Sequence, residues 1–377
     1  MSTLTSPASV PERGLLADLD RRTAFAHVGP AWFTPVMGTG IVATAGATLP
    51  VGVPGLTVFA RGVWLLDVAV LLLVLTATAL HWRHHPATAR GHLDDPAVSP
   101  LYGAPAMALM TVGAGALLVG QPVVGTRAAL AAAGVPWVTG TLLGLWTTVA
   151  VPARLLRHPG LGRDDVNGTW LMPVVPPMVS AATGPLLVPH LPAGGWQVAM
   201  VLACVALFVL ALAGSVVVVA MLWTRVARRG PGPAAAVPTL WIVLGPLGQS
   251  VTAAHHLGTS GPGAAYDSLA MAYGAVALLV ALGWLAVVVG LTVRAARTGL
   301  PFALGWWAFV FPVGTLVTGS SGLATATGSA LLATLAATLY AALLGAWVVV
   351  GSRTVAGVRS GRRDLPRQVH PSGRGWQ

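Results

Sequence analysis

The chain has 377 residues, of which 55% are hydrophobic and only 8% are charged. Because a soluble domain carries about a quarter charged residues, this composition excludes an ordinary soluble protein and indicates an integral membrane protein. The formal net charge of +11 comes from arginines spread over short loops, so we expect it to reflect membrane topology and predict no nucleic-acid partner.

Ten apolar segments follow one another along the chain, each near the length that a helix needs to cross a lipid bilayer. They cover residues 31–49, 57–80, 102–119, 128–151, 169–188, 197–223, 239–257, 269–293, 305–325 and 329–351. We therefore predict an all-α integral membrane fold, with one transmembrane domain over 30–351. An N-terminal tail over 1–29 precedes it, and an arginine-rich tail over 352–377 follows it.

The arginines in the loops predict how these segments are oriented. With the N-terminus in the cytoplasm, 19 of the 21 arginines fall in cytoplasmic segments, and only Arg61 and Arg127 fall outside. Such a bias is what the positive-inside rule describes. We therefore expect a multi-pass protein of the cell membrane with both tails in the cytoplasm.

The odd-numbered segments form a repeat, because they begin about 70 residues apart and each contains proline. A broken, glycine-rich helix needs protein or water beside it, whereas a straight helix rich in Leu and Val tolerates lipid. The pattern favours five helical hairpins, with the odd helices inside, the even helices outside and a pore along the axis.

The ninth segment contains the most informative stretch, Gly305–Thr315. Pro312 is expected to break this helix, since its ring crowds the preceding turn and it has no N–H to donate. Helical spacing places Phe311, Thr315 and Thr318 on one stripe. From the residues alone, Phe311 either packs against a neighbouring helix or plugs a pore.

Four motifs in this chain resemble a known family. They are Ala31–Gly40, Gly168–Pro177, Trp241–Gln249 and Trp306–Thr315. Together they resemble the tellurite-resistance/dicarboxylate transporter family, which includes plant slow anion channels, fungal malate permeases and sulfite efflux pumps. The resemblance implies ten helices in a quasi-five-fold ring around a central pore, and a homotrimer. The family's gating phenylalanine, just before a proline on the ninth helix, matches Phe311.

The odd segments contain no Asp, Glu, Arg or Lys. An acidic ring would favour cations, so hydroxyls and backbone groups without such a ring suit a small anion. The candidates for helix breaks and pore lining are Pro35, Gly38, Thr39, Gly40, Pro105, Thr111, Pro176, Pro177, Ser180, Pro246, Ser250, Pro312 and Thr315. We predict no cofactor and no metal site.

Three titratable residues within the apolar segments are candidates for proton coupling or pH sensing. Asp67 is the one acid inside such a segment, and a buried intramembrane acid is by default a functional hypothesis. Arg61 lies on the same side of the membrane, so a structural ion pair is an alternative. His255 and His256 end the seventh segment, where they either sense pH or are simply interfacial.

Two classes of function follow from the sequence. The first is transport of a small anion, namely a C4-dicarboxylate, sulfite or a tellurite-related oxyanion, with a passive halide or nitrate channel as the alternative. The second is a membrane-embedded enzyme that uses the region of Ser321 or the two histidines. Only the first explains the repeat.

Overall fold

The computed structural model describes residues 25–261 and 263–359, and this part of the chain contains helices and no β-strand. The all-α prediction is therefore confirmed. Most of the two predicted tails, 1–29 and 352–377, lies outside the described residues. The last helix continues beyond the predicted end of the membrane domain, to Arg359.

The described residues form thirteen α-helices. They are α1 (Thr34–Thr48), α2 (Leu56–His84), α3 (Pro86–Asp94), α4 (Gly103–Gly115), α5 (Gln121–Val124), α6 (Thr126–Arg157), α7 (Pro176–Thr183), α8 (Gly195–Arg229), α9 (Val237–Leu240), α10 (Leu244–Ser260), α11 (Ala264–Arg297), α12 (Phe311–Thr327) and α13 (Ala330–Arg359). Short 3₁₀ turns precede several of them, at Pro30–Phe33, Ser99–Tyr102, Gly168–Leu171, Trp241–Val243 and Leu304–Phe309. A π-helical turn, Ala116–Gly120, joins α4 to α5.

Within the described residues, eight helical stretches are long and apolar enough to cross a membrane, which makes the chain a multi-pass membrane protein. They are Leu56–His84, Ser99–Val124, Thr126–Arg157, Gly195–Arg229, Ala234–Ser260, Ala264–Arg297, Leu304–Thr327 and Ala330–Arg359. These eight match predicted segments. The other two segments are divided into shorter pieces: α1 has 15 residues, and the region around α7 is split into two 3₁₀ turns and an α-helix of 8 residues.

Five short helices pack against one another as a closed ring. Helix α1 contacts α4, α4 contacts α7, α7 contacts α10, α10 contacts α12, and α12 contacts α1. We call them the inner helices. Their sequences are rich in Gly, Ala and Thr, and small residues allow helix backbones to approach closely in a membrane.

Five long helices, α2, α6, α8, α11 and α13, surround this ring, and each packs against two successive inner helices. We call them the outer helices. In their most apolar windows only 22% to 28% of the residues are buried, against 61% to 78% for the stretches that contain α4, α10 and α12. The exposed residues include many Leu and Val side chains, which is typical of a surface that faces lipid.

Proline begins each inner helix instead of interrupting it. Pro35, Pro176 and Pro312 are among the first two residues of their helices, and Pro105 and Pro246 are third. The first N–H groups of a helix have no intrahelical acceptor, so proline loses little there and its fixed φ favours the helical start. The predicted break inside the ninth helix is thereby corrected, because a 3₁₀ turn changes into an α-helix just before Pro312.

Candidate functional site

Phe311 is the first residue of α12, and the turn before it fixes its position. The 3₁₀ turn ends at Phe309, and Val310 has φ −96° and ψ −68°. The N–H of Val310 donates to Trp307 O at 3.0 Å, and Val310 O accepts from the N–H of Gly314 at 3.0 Å. The backbone is therefore held on both sides of Phe311, whose side chain is only 3% exposed.

A cavity of about 240 Å³ lies among the inner helices on one side of Phe311. We call it the polar cavity. Its polar lining consists of Thr44, Thr48, Thr111, Thr183, Gln249, Thr252, His255, His256, Thr318 and Thr325. No Asp, Glu, Arg or Lys is among the residues that line it. Hydroxyl, amide and imidazole groups can donate hydrogen bonds, so this lining is suited to an anion and contains no carboxylate to repel one.

The lining residues of the polar cavity recur at helical spacing. The sets are Ile41, Thr44 and Thr48 on α1; Thr111, Ala114 and Leu118 on α4 and its π turn; Val179, Ala182, Thr183 and Leu186 on α7 and the turn after it; Gln249, Thr252, His255 and His256 on α10; and Phe311, Thr318, Gly322 and Thr325 on α12. Steps of three, four and seven residues keep side chains on one face of a helix. Each inner helix therefore presents a single face to the cavity.

A second cavity, of about 70 Å³, lies on the other side of Phe311, near the starts of the inner helices. We call it the apolar cavity, because aliphatic and aromatic side chains predominate in its lining. They include Met37, Leu101, Met107, Met172, Val175, Ile242, Leu304 and Trp307. Such a surface offers little to an ion beyond the hydroxyls of Thr34, Thr169 and Thr239.

Phe311 borders both of these cavities. Among the described residues it is the one side chain that lines both of them. A change in its rotamer would therefore alter the space on both sides at once. This position could not be read from periodicity alone, since periodicity does not say where a cavity ends.

The predicted candidates fall into two groups. Thr111 lines the polar cavity, and Pro246 and Pro312 line the apolar cavity. The remaining candidates line neither cavity; they are Pro35, Gly38, Thr39, Gly40, Pro105, Pro176, Pro177, Ser180, Ser250 and Thr315.

Hydroxyls of the second group are used in helix packing. Thr39 Oγ1 accepts from Trp347 Nε1 at 3.1 Å, and Ser180 Oγ accepts from Thr141 Oγ1 at 2.9 Å. Thr315 Oγ1 donates to Pro312 O at 2.7 Å, and its side chain is fully buried. At about 100° per residue, Thr318 lies closer to the face of Phe311 than Thr315 does, and Thr318 is the one that reaches the cavity.

Gln249 is a lining residue that the sequence analysis missed. Its Oε1 and the Nδ1 of His255 are buried without a hydrogen-bond partner among the described residues. His256 is held in place, since its Nδ1 donates to Ala182 O at 2.6 Å. The signal that could have revealed Gln249 is its spacing to Thr252 and His256, three and seven residues on.

Asp67 lies on the buried face of outer helix α2, behind the wall of the polar cavity. Its side chain has no exposed surface, and neither carboxyl oxygen has a hydrogen-bond partner within the described ranges. Arg61 donates its Nε–H to Val119 O at 3.2 Å. The alternative that Arg61 and Asp67 form an ion pair is therefore wrong.

The enzyme alternative lacks a reactive pair in the described part of the chain. Ser321 Oγ is buried and has no hydrogen-bond partner among the described residues, so no base within them is hydrogen-bonded to it as an activated nucleophile requires. No group of three or more His, Cys, Asp or Glu residues with the geometry of a metal site occurs there either.

Comparison with known proteins shows which family this chain resembles. A family model described as voltage-dependent anion channel (SLAC1) matches residues 27–355. The sulfite efflux pump SSU1 of Arthroderma otae is 28% identical over 342 residues, which cover 88% of this chain and 91% of the pump. An uncharacterized transporter of Methanocaldococcus jannaschii is 29% identical over 296 residues, covering 77% of this chain and 82% of that protein.

These matches confirm the family resemblance carried by the four sequence motifs. The match to the family model includes all ten predicted segments and nearly all of the described residues. The chain therefore belongs to the voltage-dependent anion channel family, whose members are membrane transporters and channels for anions.

Proposed function

We propose that this protein carries a small oxyanion through the centre of the inner ring, and that Phe311 is the gate of this pathway. Sulfite is the first candidate because three relatives are named sulfite efflux pumps, and C4-dicarboxylates and tellurite-related oxyanions are the next. The observation that carries the proposal is that Phe311 lines both cavities.

The polar cavity is the proposed binding region. An anion that leaves water must exchange its hydration shell for other donors, and the hydroxyls of Thr252 and Thr318 together with the Gln249 amide can supply them. These neutral groups bind less tightly than an arginine would, so the anion can also leave. Such weak binding favours rapid passage of the anion over tight binding.

The apolar cavity is the proposed barrier. A narrow passage lined by Met and Trp side chains excludes water, and an ion without water meets a large desolvation cost. With the Phe311 ring in place, the two cavities stay separate. A rotamer change of one ring, or a small shift at Val310, would join them.

The proposed membrane arrangement has ten crossings, with the segments around α1 and α7 added to the eight continuous spans. The closed ring of inner helices supports it, since α1 and α7 each take a place in that ring. Both termini are proposed to be cytoplasmic, and the assembly a homotrimer in the cell membrane. In a Cys204→Ala background, thiol reagents should label Gly160→Cys and Ala193→Cys from opposite sides; labelling from one side would contradict ten crossings.

Flux measurements on Phe311→Ala test the gate. The purified variant and the wild-type protein are placed in liposomes, and the fluxes of sulfite, malate and nitrate are compared. We expect Phe311→Ala to raise the flux of the carried anion by roughly tenfold or more, because the ring no longer separates the cavities. Its melting temperature should change little, since a ring between two cavities loses few contacts on truncation.

Phe309→Ala is the matched control, two residues away. The Phe309 ring packs edge to face on Trp241 and Trp306 and lines neither cavity. Its removal should lower the melting temperature without opening the pathway. If Phe311→Ala instead melted much earlier and left the flux unchanged, Phe311 would be a packing residue. If nitrate moved far faster than sulfite or malate, the protein would be a passive channel.

A further inference from the structure

Asp67 is a buried acid for which the anion pathway described above has no role. Its carboxyl lies between α2, α1 and α4: a methyl group in place of the Gly40 hydrogen would lie 2.7 Å from Thr111 Cγ2 and closer still to Asp67 Oδ2. Gly40 thus leaves the space that the carboxyl occupies. With no exposed surface, the carboxyl is shielded from bulk water, and no hydrogen-bond donor lies beside it among the described residues.

Within the part of the chain that the structure describes, no cation lies where it could compensate a negative charge on Asp67. Helix α2 packs against α1, α4, the π turn Ala116–Gly120, the 3₁₀ turn Pro30–Phe33 and α3. The first four of these contain no Asp, Glu, Arg, Lys or His. The other titratable groups of α2 and α3 are Arg90, His92, Asp94, His81, Arg83 and His84, all in the last turn of α2 or after it, together with Arg61, which is bonded to Val119 O.

An ionised carboxylate in this setting would be unpaired and dry, which is the least favourable form of a buried acid. The neutral, protonated acid is the form that the surroundings accommodate. The carboxyl is nevertheless close to the polar cavity, because Asp67 and Thr111 both lie against Gly40 and Thr111 lines that cavity. Ile41, the residue after Gly40, lines the same cavity.

We propose that Asp67 is a proton-binding site whose occupancy is linked to the presence of an anion in the polar cavity. This inference rests on the proposed anion pathway. A charged Asp67 repels an anion in the cavity, whereas a protonated Asp67 does not. Two unit charges about 8 Å apart at an effective dielectric constant of about 20 change binding by roughly tenfold or more.

Linkage makes the effect reciprocal. If a proton on Asp67 favours the anion, then an anion in the cavity favours the proton on Asp67 by the same factor. The proton is taken from water as the anion enters and returns to water after the anion has left, so no other reactant is needed. Downhill anion flux should therefore rise as the pH falls, and a proton gradient should bias the direction of transport.

The test compares downhill sulfite flux in liposomes at pH 5.5 and pH 8 for the wild-type protein and Asp67→Asn. Asparagine has the size and the neutral charge of the protonated acid. We expect the two proteins to carry sulfite equally fast at pH 5.5, and Asp67→Asn to be roughly tenfold faster than the wild type at pH 8. Because both are measured at each pH, the titration of sulfite itself cancels from their ratio.

The double variant His255→Gln/His256→Gln separates Asp67 from the other titratable groups of the cavity. It should keep the pH dependence of the wild type, whatever its absolute rate. The proposal would be overturned if the flux of Asp67→Asn divided by that of the wild type were the same at both pH values. It would also be overturned if the pH dependence of the flux disappeared in the double histidine variant.

Asp67→Ser is a second neutral variant in case Asp67→Asn does not assemble, with assembly judged by size-exclusion chromatography. If neither variant assembles, the double histidine variant decides with nitrate, an anion that does not titrate between pH 5.5 and pH 8: nitrate flux that no longer depends on pH would overturn the proposal. Absence of wild-type flux above that of empty liposomes would instead contradict the proposed function. Wild-type flux with an unchanged ratio would contradict only the role of Asp67.

Discussion

The inner and outer helices differ in how they use apolar residues. The outer helices have 29 to 35 residues and expose Leu and Val along their length. The inner helices have 8 to 17 residues and are largely buried. Since lipid is as apolar as leucine, hydrophobicity cannot decide which helix goes inside. Close packing decides it, and close packing requires glycine.

Two glycines show how close this packing is. A methyl group in place of the Gly103 hydrogen would overlap Met172 O, and one in place of the Gly168 hydrogen would overlap Thr239 O. Each contact joins the start of one inner helix to the start of the next repeat. The two glycines are 65 residues apart in the sequence, and the two residues that they contact, Met172 and Thr239, are 67 apart. The obstacle is backbone, which cannot rotate away.

Gly168→Ala should have the largest effect. The added methyl forces the Gly168–Leu171 turn away from the carbonyl of Thr239, and overpacking of this kind costs roughly 3 kcal/mol. We expect a clear fall in melting temperature in detergent and a smaller yield of assembled protein. Gly345→Ala on outer helix α13 is the control, since no described residue outside the adjacent backbone of α13 would lie within 4 Å of the added methyl group. Equal melting temperatures of the two variants would contradict the contrast between inner and outer helices.

Trp64→Phe tests how an outer helix is attached to the inner ring. The Trp64 indole is 3% exposed, and its Nε1–H donates to Val112 O at 3.1 Å beside Gly115 and Gly120. Loss of this bond and of part of the ring should destabilise the protein by about 1–2 kcal/mol. Trp223→Phe, at an indole that is 57% exposed, should leave the melting temperature nearly unchanged. A larger fall in melting temperature for Trp223→Phe than for Trp64→Phe would show that exposed rings on the outer helices stabilise the protein more than the buried contact of Trp64 does.

The sequence was sufficient to predict the helical class, the repeat and the family. Proline and glycine recur at equivalent positions of the odd segments, and arginine is concentrated in every second loop. The sequence placed Phe311 beside a change in helix geometry, which the structure also has. The sequence could not show that proline lies at the start of each inner helix. The 3₁₀ turn before the helix is as apolar as the helix itself, so composition does not show where one ends and the other begins. The sequence analysis also assigned Thr315 and Ser180 to the pore lining, but neither lines a cavity. Thr315 is about 40° around the helix axis from Phe311, and tertiary packing decides which side of such a difference faces the cavity.

Thr252→Val compares two hydroxyls in different places. Thr252 Oγ1 and Thr318 Oγ1 lie 2.7 Å apart at the wall of the polar cavity. Valine keeps the shape but removes a donor for the anion, so sulfite flux at low concentration should fall about fivefold, which corresponds to about 1 kcal/mol. Thr224→Val on outer helix α8 removes an exposed hydroxyl that donates to Ala220 O of its own helix. The flux of that variant should equal the wild type; a similar loss in both would show that cavity hydroxyls have no special role.

His92 lies outside the inner ring, and its substitution has the smallest expected effect, a change in how the melting temperature depends on pH. Four of the inner helices contain no titratable side chain, and only α10 has histidines. His92, on α3, stacks on the buried His81 at the end of outer helix α2, with ring centroids 5.3 Å apart. Burial lowers the pKa of His92, and the neighbouring His81 lowers it further, whereas Asp95 opposes this shift.

A lowered pKa means that the unfolded chain binds the proton more readily than the folded protein does. The contribution of neutral His92 to stability is therefore complete above the unfolded pKa of about 6.5 and is lost as the pH falls below it. We expect the melting temperature to decrease between pH 7 and pH 5, and to decrease less in His92→Gln. His190→Gln, at an exposed position before outer helix α8, is the matched control and should follow the wild type. Parallel curves for His92→Gln and the wild type would show that docking of α3 on α2 does not depend on this ring.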